Sequence, residues 1–261
     1  MNVPAGASFR SKEVVDYYRY RPPYPSKVHE EIISFSPATG CLVDLGCGEG
    51  KVARPMAEYF DTVTAIDPSA NMLQMGQSLP NGKADNIKWV EAFAEEAPLP
   101  HRIDVVTFAS SVHWMNPSRL FPRLRENLRI EHILAVIQGD EPFEPPWYDE
   151  WMQFLAKWVP EMTGQPVNSS EWVGSRKRHL EYMDLVHSDD YFSEPMKQSV
   201  EDFVLCQNSR DTFSVERLGS RLSGFREELT ALLLPHVDAS GQLEFKVKTH
   251  LTIGKLLPRL A

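Results

Sequence analysis

Residues 41–50, Cys41-Leu42-Val43-Asp44-Leu45-Gly46-Cys47-Gly48-Glu49-Gly50, constrain this chain more than any other stretch. A short apolar run ends in an acid, three glycines follow at alternate positions, and a helical pattern runs from Lys51 to Phe60. That order predicts a buried strand, a tight loop and a helix, the arrangement that holds nucleotide-type ligands. Glycine is needed where the backbone turns sharply or lets a ligand approach closely. The loop has no lysine followed by Ser or Thr, so it is not a Walker-type phosphate loop. Its G-x-G-x-G spacing also departs from the G-x-G-x-x-G of dinucleotide binders.

Asp44 sets the charge of the ligand. A carboxylate at such a loop repels a pyrophosphate and suits a cationic or amine-bearing molecule. S-adenosylmethionine carries both a sulfonium and an ammonium. A second apolar run, Thr62-Val63-Thr64-Ala65-Ile66, ends in Asp67, and an acid at the tip of a second strand can accept both hydroxyls of a ribose. The competing reading makes Asp44 and Asp67 ordinary strand-end turn residues. Their joint occurrence at β-α-β spacing favours the ligand. Cys47 reads as a small loop filler before it reads as a nucleophile.

The rest of the chain alternates strands and helices. Helical patterns cover 13–20, 27–35, 68–79 and 117–128, and strand patterns cover 87–93, 104–109 and 132–138. The prolines of Arg21-Pro22-Pro23-Tyr24-Pro25 force an extended segment between the first two helices. Alternation of this kind predicts a parallel, doubly wound α/β sheet whose ligands bind beyond the carboxyl ends of the strands. Those ends are Asp44/Gly46, Asp67, Phe93/Ala94, Ser110/Ser111 and Gly139. Beyond Gly139 the texture changes: Trp147–Val159 reads as an aromatic-rich helix, and the stretch to about Asp190 is polar and loop-like. Leu243–Ile253 alternates and reads as a late antiparallel strand. The expected organisation is one domain over 1–261: an N-terminal lid segment (1–25), a cofactor-binding core (26–140), a cap or acceptor-binding insertion (141–200) and a completing segment (201–261).

Composition narrows the partners. With 261 residues, one core plus a cap is the natural expectation. A net charge of −9 disfavours nucleic acid, which needs clustered Lys and Arg. No apolar run approaches a membrane span. Three cysteines without a C-x-x-C pair point to a reducing cytoplasm. His179 and His187 have no partner at i+3 or i+4, so no metal is expected. Oligomeric state cannot be read from the chain.

The assembled residues resemble the class I S-adenosylmethionine-dependent methyltransferases, and within them the small-molecule branch that includes trans-aconitate methyltransferase. The resemblance runs through Tyr20–Pro25, Val43–Gly50, Ala65–Ser69 with Met72-Leu73, Ala94-Glu95 before Pro98-Leu99-Pro100, and Asp104–Thr107 leading to His113-Trp114. In the last piece Val112 replaces the Phe of an F-H-W signature. Phe245–Leu251, with Thr249, resembles the closing strand of the branch. Two departures stand out: Phe93 replaces the acid that usually takes the adenine amino group, and Ile130-Glu131-His132 stands where glycines usually precede strand five.

The resemblance implies a mostly parallel, seven-stranded Rossmann-like sheet with an antiparallel C-terminal strand and a helical cap. It implies S-adenosylmethionine as cofactor, with Asp44, Gly46 and Gly48 at its methionine part and Asp67 at the ribose. Pro68, Met72, Phe93, Ala94 and Glu95 would lie around the adenine, Ser110 near the sulfonium, and Arg21 and Tyr24 over the carboxylate end. Arg21 reads equally as a surface charge beside a proline turn. The acceptor would be a small molecule, methylated at a carboxylate or hydroxyl oxygen by alignment-driven displacement. The alternatives are N- or C-methylation and a non-methylating reaction at the same cofactor. The acceptor candidates are Tyr20, His113, Trp114, Trp147, Tyr148 and Trp151. His113 is the candidate base because histidine titrates near neutrality, although it reads as well as a packing residue. The tryptophans equally suit core packing. Neither a nucleic-acid partner nor a membrane is expected.

Overall fold

The computed structural model describes residues 7–258. In chain order its regular elements are α1 Lys12–Tyr18, α2 Ser26–Phe35, β1 Cys41–Leu45, α3 Ala53–Met56, β2 Thr62–Asp67, α4 Ala70–Ser78, β3 Ile87–Glu91, β4 Ile103–Ala109 and α5 Pro117–Asn127. There follow β5 Leu128–Phe143, α6 Tyr148–Thr163, α7 Ser170–Lys177, β6 Met183–Phe192, β7 Met196–Ser199, α8 Val200–Asn208, α9 Val215–Leu218, α10 Leu222–Leu233 and β8 Gln242–Leu256. The chain divides into two compact units. The first comprises residues 7–23, 140–173 and 192–248, and the second Tyr24–Gly139, Gly174–Tyr191 and residues 249–258.

The sheet has the order β3-β2-β1-β4-β5-β8-β6, with β7 paired to β8 off this path. Strands β1 to β5 are parallel wherever they pair, and β7 runs antiparallel to β8. The seven-stranded, mostly parallel sheet with its antiparallel C-terminal strand is therefore present. Because the order reverses between β1 and β4, the carboxyl ends of these two strands mark the switch point where such sheets bind ligands.

Side chains alternate across the sheet of the second unit. Leu42 and Val105 pack with Val28, Ile32, Val52 and Met56 on one face. Val43, Leu45, Val106 and Phe108 pack with Leu120, Phe121 and Leu124 on the other. Both faces are buried, which is why these strands carry near-continuous apolar runs. At the opposite edge of the core, the buried Asp104 carboxylate accepts from the Cys41 N–H at 2.8 Å and pairs with Arg129 Nε at 2.8 Å.

The first unit has its own aromatic core. Trp147, Trp151, Phe154 and Trp158 pack with Phe203, Phe213, Phe225 and Phe245. Trp151 stacks on Phe154 at 5.6 Å, and Trp158 meets Phe225 edge-on at 5.1 Å.

The stretch expected to be loop-like contains α7 and β6. β6 reads Met-Asp-Leu-Val-His-Ser-Asp-Asp-Tyr-Phe, and six of its ten residues besides Phe192 are exposed acids, apolars or serine. That pattern carries no period-2 signal. β5 continues to Phe143, past Gly139, where the sequence pattern ended at Gln138. The helix expected through Phe60 has only one regular turn, Ala53–Met56, flanked by turns.

Candidate functional site

In the second unit the glycine turn stands between β1 and α3. Gly46, Gly48 and Gly50 have φ of +67°, +55° and +78°, a region that side chains rarely enter. The Gly46 and Cys47 N–H groups donate to the Ile66 carbonyl at 2.8 and 3.0 Å, so the turn is stitched to β2. Its third glycine is a packing residue. A Cβ on Gly50 would come within 2.6 Å of the Trp89 indole, and one on Gly76 would meet the same ring at 2.6 Å. Trp89 Nε1 donates to the Gly82 carbonyl at 3.0 Å, so the indole wedges the turn against α4.

The two acids behave differently. Asp67, buried at the tip of β2, accepts from the Gly48 N–H at 2.9 Å through Oδ2 and from the Ser69 N–H at 2.8 Å through Oδ1. Its carboxylate is thereby fixed beside the turn. Asp44 is fully buried beneath the turn: Oδ1 accepts from Thr107 Oγ1 at 2.8 Å and Oδ2 from the Ala53 N–H at 3.2 Å. Burial pushes its carboxyl up to about 7, against those two hydrogen bonds, and the neighbouring Asp67 charge adds to the rise. Asp44 thus ties β1 to β4 and to the start of α3. Thr107 and Ser69, whose hydroxyl also accepts from the Met72 N–H at 3.3 Å, had no local signal as site residues.

Around this pair lie the other expected positions of the same unit. Met72 and Ala94 are buried, while Phe93, just beyond β3, is 51% exposed. Glu95 accepts from the Asn116 N–H at 2.6 Å. Ser110, at the end of β4, has φ of +50°, a conformation that costs a non-glycine residue strain. Its hydroxyl takes a 3.3 Å hydrogen bond from the phenol of the buried Tyr24, and Lys51 Nζ lies 5.9 Å from the centre of that ring. A Cβ on Gly46 would approach the Ser111 Cβ to 2.5 Å and Met115 Cε to 3.2 Å, so the segment carrying His113 and Trp114 packs against the turn at both ends. The His113 and Trp114 rings are 4.5 Å apart. Burial, reinforced by the charges of Arg176, Arg178 and His179, lowers the His113 imidazole to about 4.

The remaining expected positions fall in the first unit. The Tyr20 carbonyl accepts from Gln198 Nε2 at 2.9 Å. The Arg21 guanidinium donates to Ser209 Oγ at 2.8 Å and to the Ser209 carbonyl at 2.9 Å. It also pairs with Asp140 at 3.6 Å and covers the Tyr18 ring at 4.5 Å. Trp147 and Trp151 belong to the aromatic core, at 0% and 5% exposure, and Tyr148 is exposed. Among the described residues no His, Cys, Asp and Glu group is placed to hold a metal, and no helix is long and apolar enough to cross a membrane.

The residues present fit S-adenosylmethionine. A turn at positive φ presents backbone without side chains, and a fixed carboxylate beside it suits a ribose diol and a cationic ligand.

Residues 42–130 match the methyltransferase domain family. The chain is 34% identical over 128 residues to the yeast protein "Probable S-adenosylmethionine-dependent methyltransferase CRG1" (Saccharomyces cerevisiae), covering 47% of this chain and 44% of that one. It is 33% identical over 143 residues to the uncharacterized methyltransferase Rv3342 of Mycobacterium tuberculosis, covering 54% and 56%. The matches thus span about half the length of these curated relatives. A solved structure of a type II methyltransferase candidate from Anaeromyxobacter dehalogenans superposes with a TM-score of 0.68 at 22% identity, over 92% of this chain and 99% of that one.

Proposed function

We propose, for a chain whose residues 42–130 belong to the methyltransferase domain family and whose fold is that of the class I S-adenosylmethionine-dependent methyltransferases, that it transfers a methyl group to an oxygen of a small-molecule acceptor. The observation that carries this reading is the bond between the Gly48 N–H and Asp67, which sets a carboxylate against a glycine-rich turn at the switch point of the sheet.

Bound S-adenosylmethionine supplies an electrophilic methyl on a sulfonium. In this reading Gly46 and Gly48 give its methionine part a backbone surface, and Asp44 acts from below the turn. Asp67 takes the ribose. Pro68, Met72, Phe93, Ala94 and Glu95 surround the base, with Phe93 offering an exposed ring face in place of an acid. Ser110 and Tyr24 border the reacting end. Arg21, proposed for the carboxylate end of the cofactor, and the acceptor candidates Tyr20, Trp147, Tyr148 and Trp151 lie in the first unit, where Trp147 and Trp151 pack into its aromatic core.

The acceptor oxygen bonds to the methyl as the electron pair of the carbon–sulfur bond returns to sulfur. A hydroxyl must lose its proton during this step, whereas a carboxylate carries none. An imidazole held at about 4 is neutral at neutral pH and a weak base, so His113 favours a carboxylate acceptor. The net charge of −9 supports a small molecule over nucleic acid, and three free cysteines suit a reducing cytoplasm. Of the expected cap over 141–200, residues 174–191 share a unit with the turn and are the part assigned to the acceptor.

Calorimetry with S-adenosylhomocysteine tests the cofactor reading: saturable binding is expected, and no binding refutes it. Incubation with methyl-labelled cofactor and a metabolite extract then tests the reaction. Label in a base-labile ester supports the carboxylate, label on nitrogen or carbon supports the alternatives, and no labelled product in any extract favours a non-methylating reaction.

A further inference from the structure

His179 plays no part in the site described so far, yet it is 3% exposed and, beyond the influence of the Arg176 carbonyl, neither of its ring nitrogens makes a well-formed hydrogen bond. His113 Nδ1 is likewise buried and unpaired. Buried polar nitrogens are nearly always satisfied, because leaving one without a partner costs stability. Two such rings in one neighbourhood point to a ligand that completes them.

Their setting says what kind of ligand. His113 lies on the short helical turn Val112–Trp114 that follows β4, and His179 on the turn Arg178–Tyr182; the two turns pack together. The second turn is well anchored. Tyr182 stacks on Phe121 of α5 at 4.8 Å, and its carbonyl accepts from the Leu257 N–H at 2.9 Å. Just before it, the Arg176 carbonyl accepts from Gln138 Nε2 at 3.1 Å. The positive charges of Arg176 and Arg178 act on His113, and Arg178 makes no ion pair with any described residue. The segment bearing His113 also abuts Gly46 of the turn through Ser111 and Met115.

We propose that His113 and His179 together bind the carboxylate of the methyl acceptor, with Arg178 as its counter-charge. The assignment rests on the methyltransferase reading above and deepens it by naming what recognises the acceptor. Each neutral imidazole has one N–H to donate, that of His179 turning from the Arg176 carbonyl to the ligand, and a carboxylate has two oxygens to accept them. Burial and the flanking arginines keep both rings neutral, with His179 also lowered to about 4. Protonated rings would repel the arginines, whereas a bound anion draws all four groups together. Trp114, 42% exposed with its ring 4.5 Å from that of His113, gives a wall for the body of the acceptor.

The test uses the full chain with ring-labelled histidine, with and without S-adenosylhomocysteine, titrated with acetate, benzoate and the neutral isostere benzamide. Benzoate is expected to shift the His113 and His179 ring signals saturably and benzamide to leave them in place. His179→Phe should weaken benzoate by at least about tenfold, the loss of a hydrogen bond to a charged group, with S-adenosylhomocysteine affinity unchanged. His179→Gln keeps an amide donor and should retain most of the binding. Should His179→Phe fail to fold, Arg178→Gln decides, with weaker benzoate binding expected. The proposal is overturned if neither carboxylate moves the rings, if benzamide moves them equally, or if folded His179→Phe or Arg178→Gln binds benzoate like the parent. Failure of the parent chain to bind S-adenosylhomocysteine strikes the cofactor reading alone, because the benzoate titration is also read without it.

Discussion

The Gly48 N–H stands 2.9 Å from Oδ2 of Asp67, across 19 residues of sequence, and this bond joins the glycine turn to the tip of the neighbouring strand. Asp67→Ala removes both the anchor of the turn and the proposed ribose partner. It is expected to weaken S-adenosylhomocysteine by about ten- to a hundredfold, the worth of one or two charge-assisted hydrogen bonds. Calorimetry on parent and variant reads the ratio, and equal affinities would remove Asp67 from the site.

Gly46 lies at φ +67° with Ser111 directly against it. Gly46→Ala is expected to destabilise the chain by about 1–3 kcal/mol through strain and overpacking. Ser111→Gly clears the 2.5 Å clash but gives up the Ser111 hydroxyl's 2.6 Å bond to the Leu45 carbonyl, so Gly46→Ala should cost less in the Ser111→Gly background than in the parent. Denaturant unfolding of the single and double variants measures the difference; equal costs in the two backgrounds would place the cost elsewhere.

Asp44 gives the fold a pH dependence. Its carboxyl is raised from 3.8 to about 7 on folding, so the folded state binds the proton more tightly than the unfolded chain does. The contribution to stability is therefore greatest below the unfolded value and is lost as pH rises toward 7. Asp44→Asn removes the titration. Its unfolding free energy should change less between pH 4 and pH 7 than that of the parent, as read by urea unfolding across this range. Parallel pH profiles would contradict the assignment.

Trp151 tests the division of labour between the units. It is 5% exposed and packs on Phe154 and Phe203. Trp151→Ala should cost about 3–5 kcal/mol as a core truncation. Under conditions where the variant is folded, its affinity for benzoate, the probe of the acceptor carboxylate, should equal that of the parent. A selective loss of benzoate binding without loss of stability would support Trp151 as an acceptor residue.

The legible parts of this protein were those whose cause is local. The run from Cys41 to Gly50 and the tip at Asp67 announce themselves because a buried strand must be apolar and a side-chain-free turn must be glycine. Asp44 was visible as an acid but not as a fully buried one. Its partner Thr107 is 63 residues away, and no local pattern connects them. Trp147 and Trp151 showed helical spacing, yet a helix wheel does not say whether an aromatic stripe faces a core or a cleft. β6 was hidden because its acids and exposed apolars break the alternation of a half-buried strand. His179 was read as a histidine without a neighbour, since its proposed companion lies on a turn 66 positions earlier in the chain.

Trp89 fills the space that two glycines leave open, one in the turn and one on α4, while its indole N–H holds the Gly82 carbonyl. Positions 50, 76 and 89 therefore form one evolutionary unit. A lineage that keeps the indole forbids any Cβ at either place, and one that shrinks it relieves that contact while the φ of +78° at 50 and the Glu49 carbonyl 2.7 Å from a Cβ at 76 still favour glycine, so a smaller residue at 89 leaves a void. Across diverging descendants positions 50 and 76 should therefore stay glycine wherever 89 stays tryptophan.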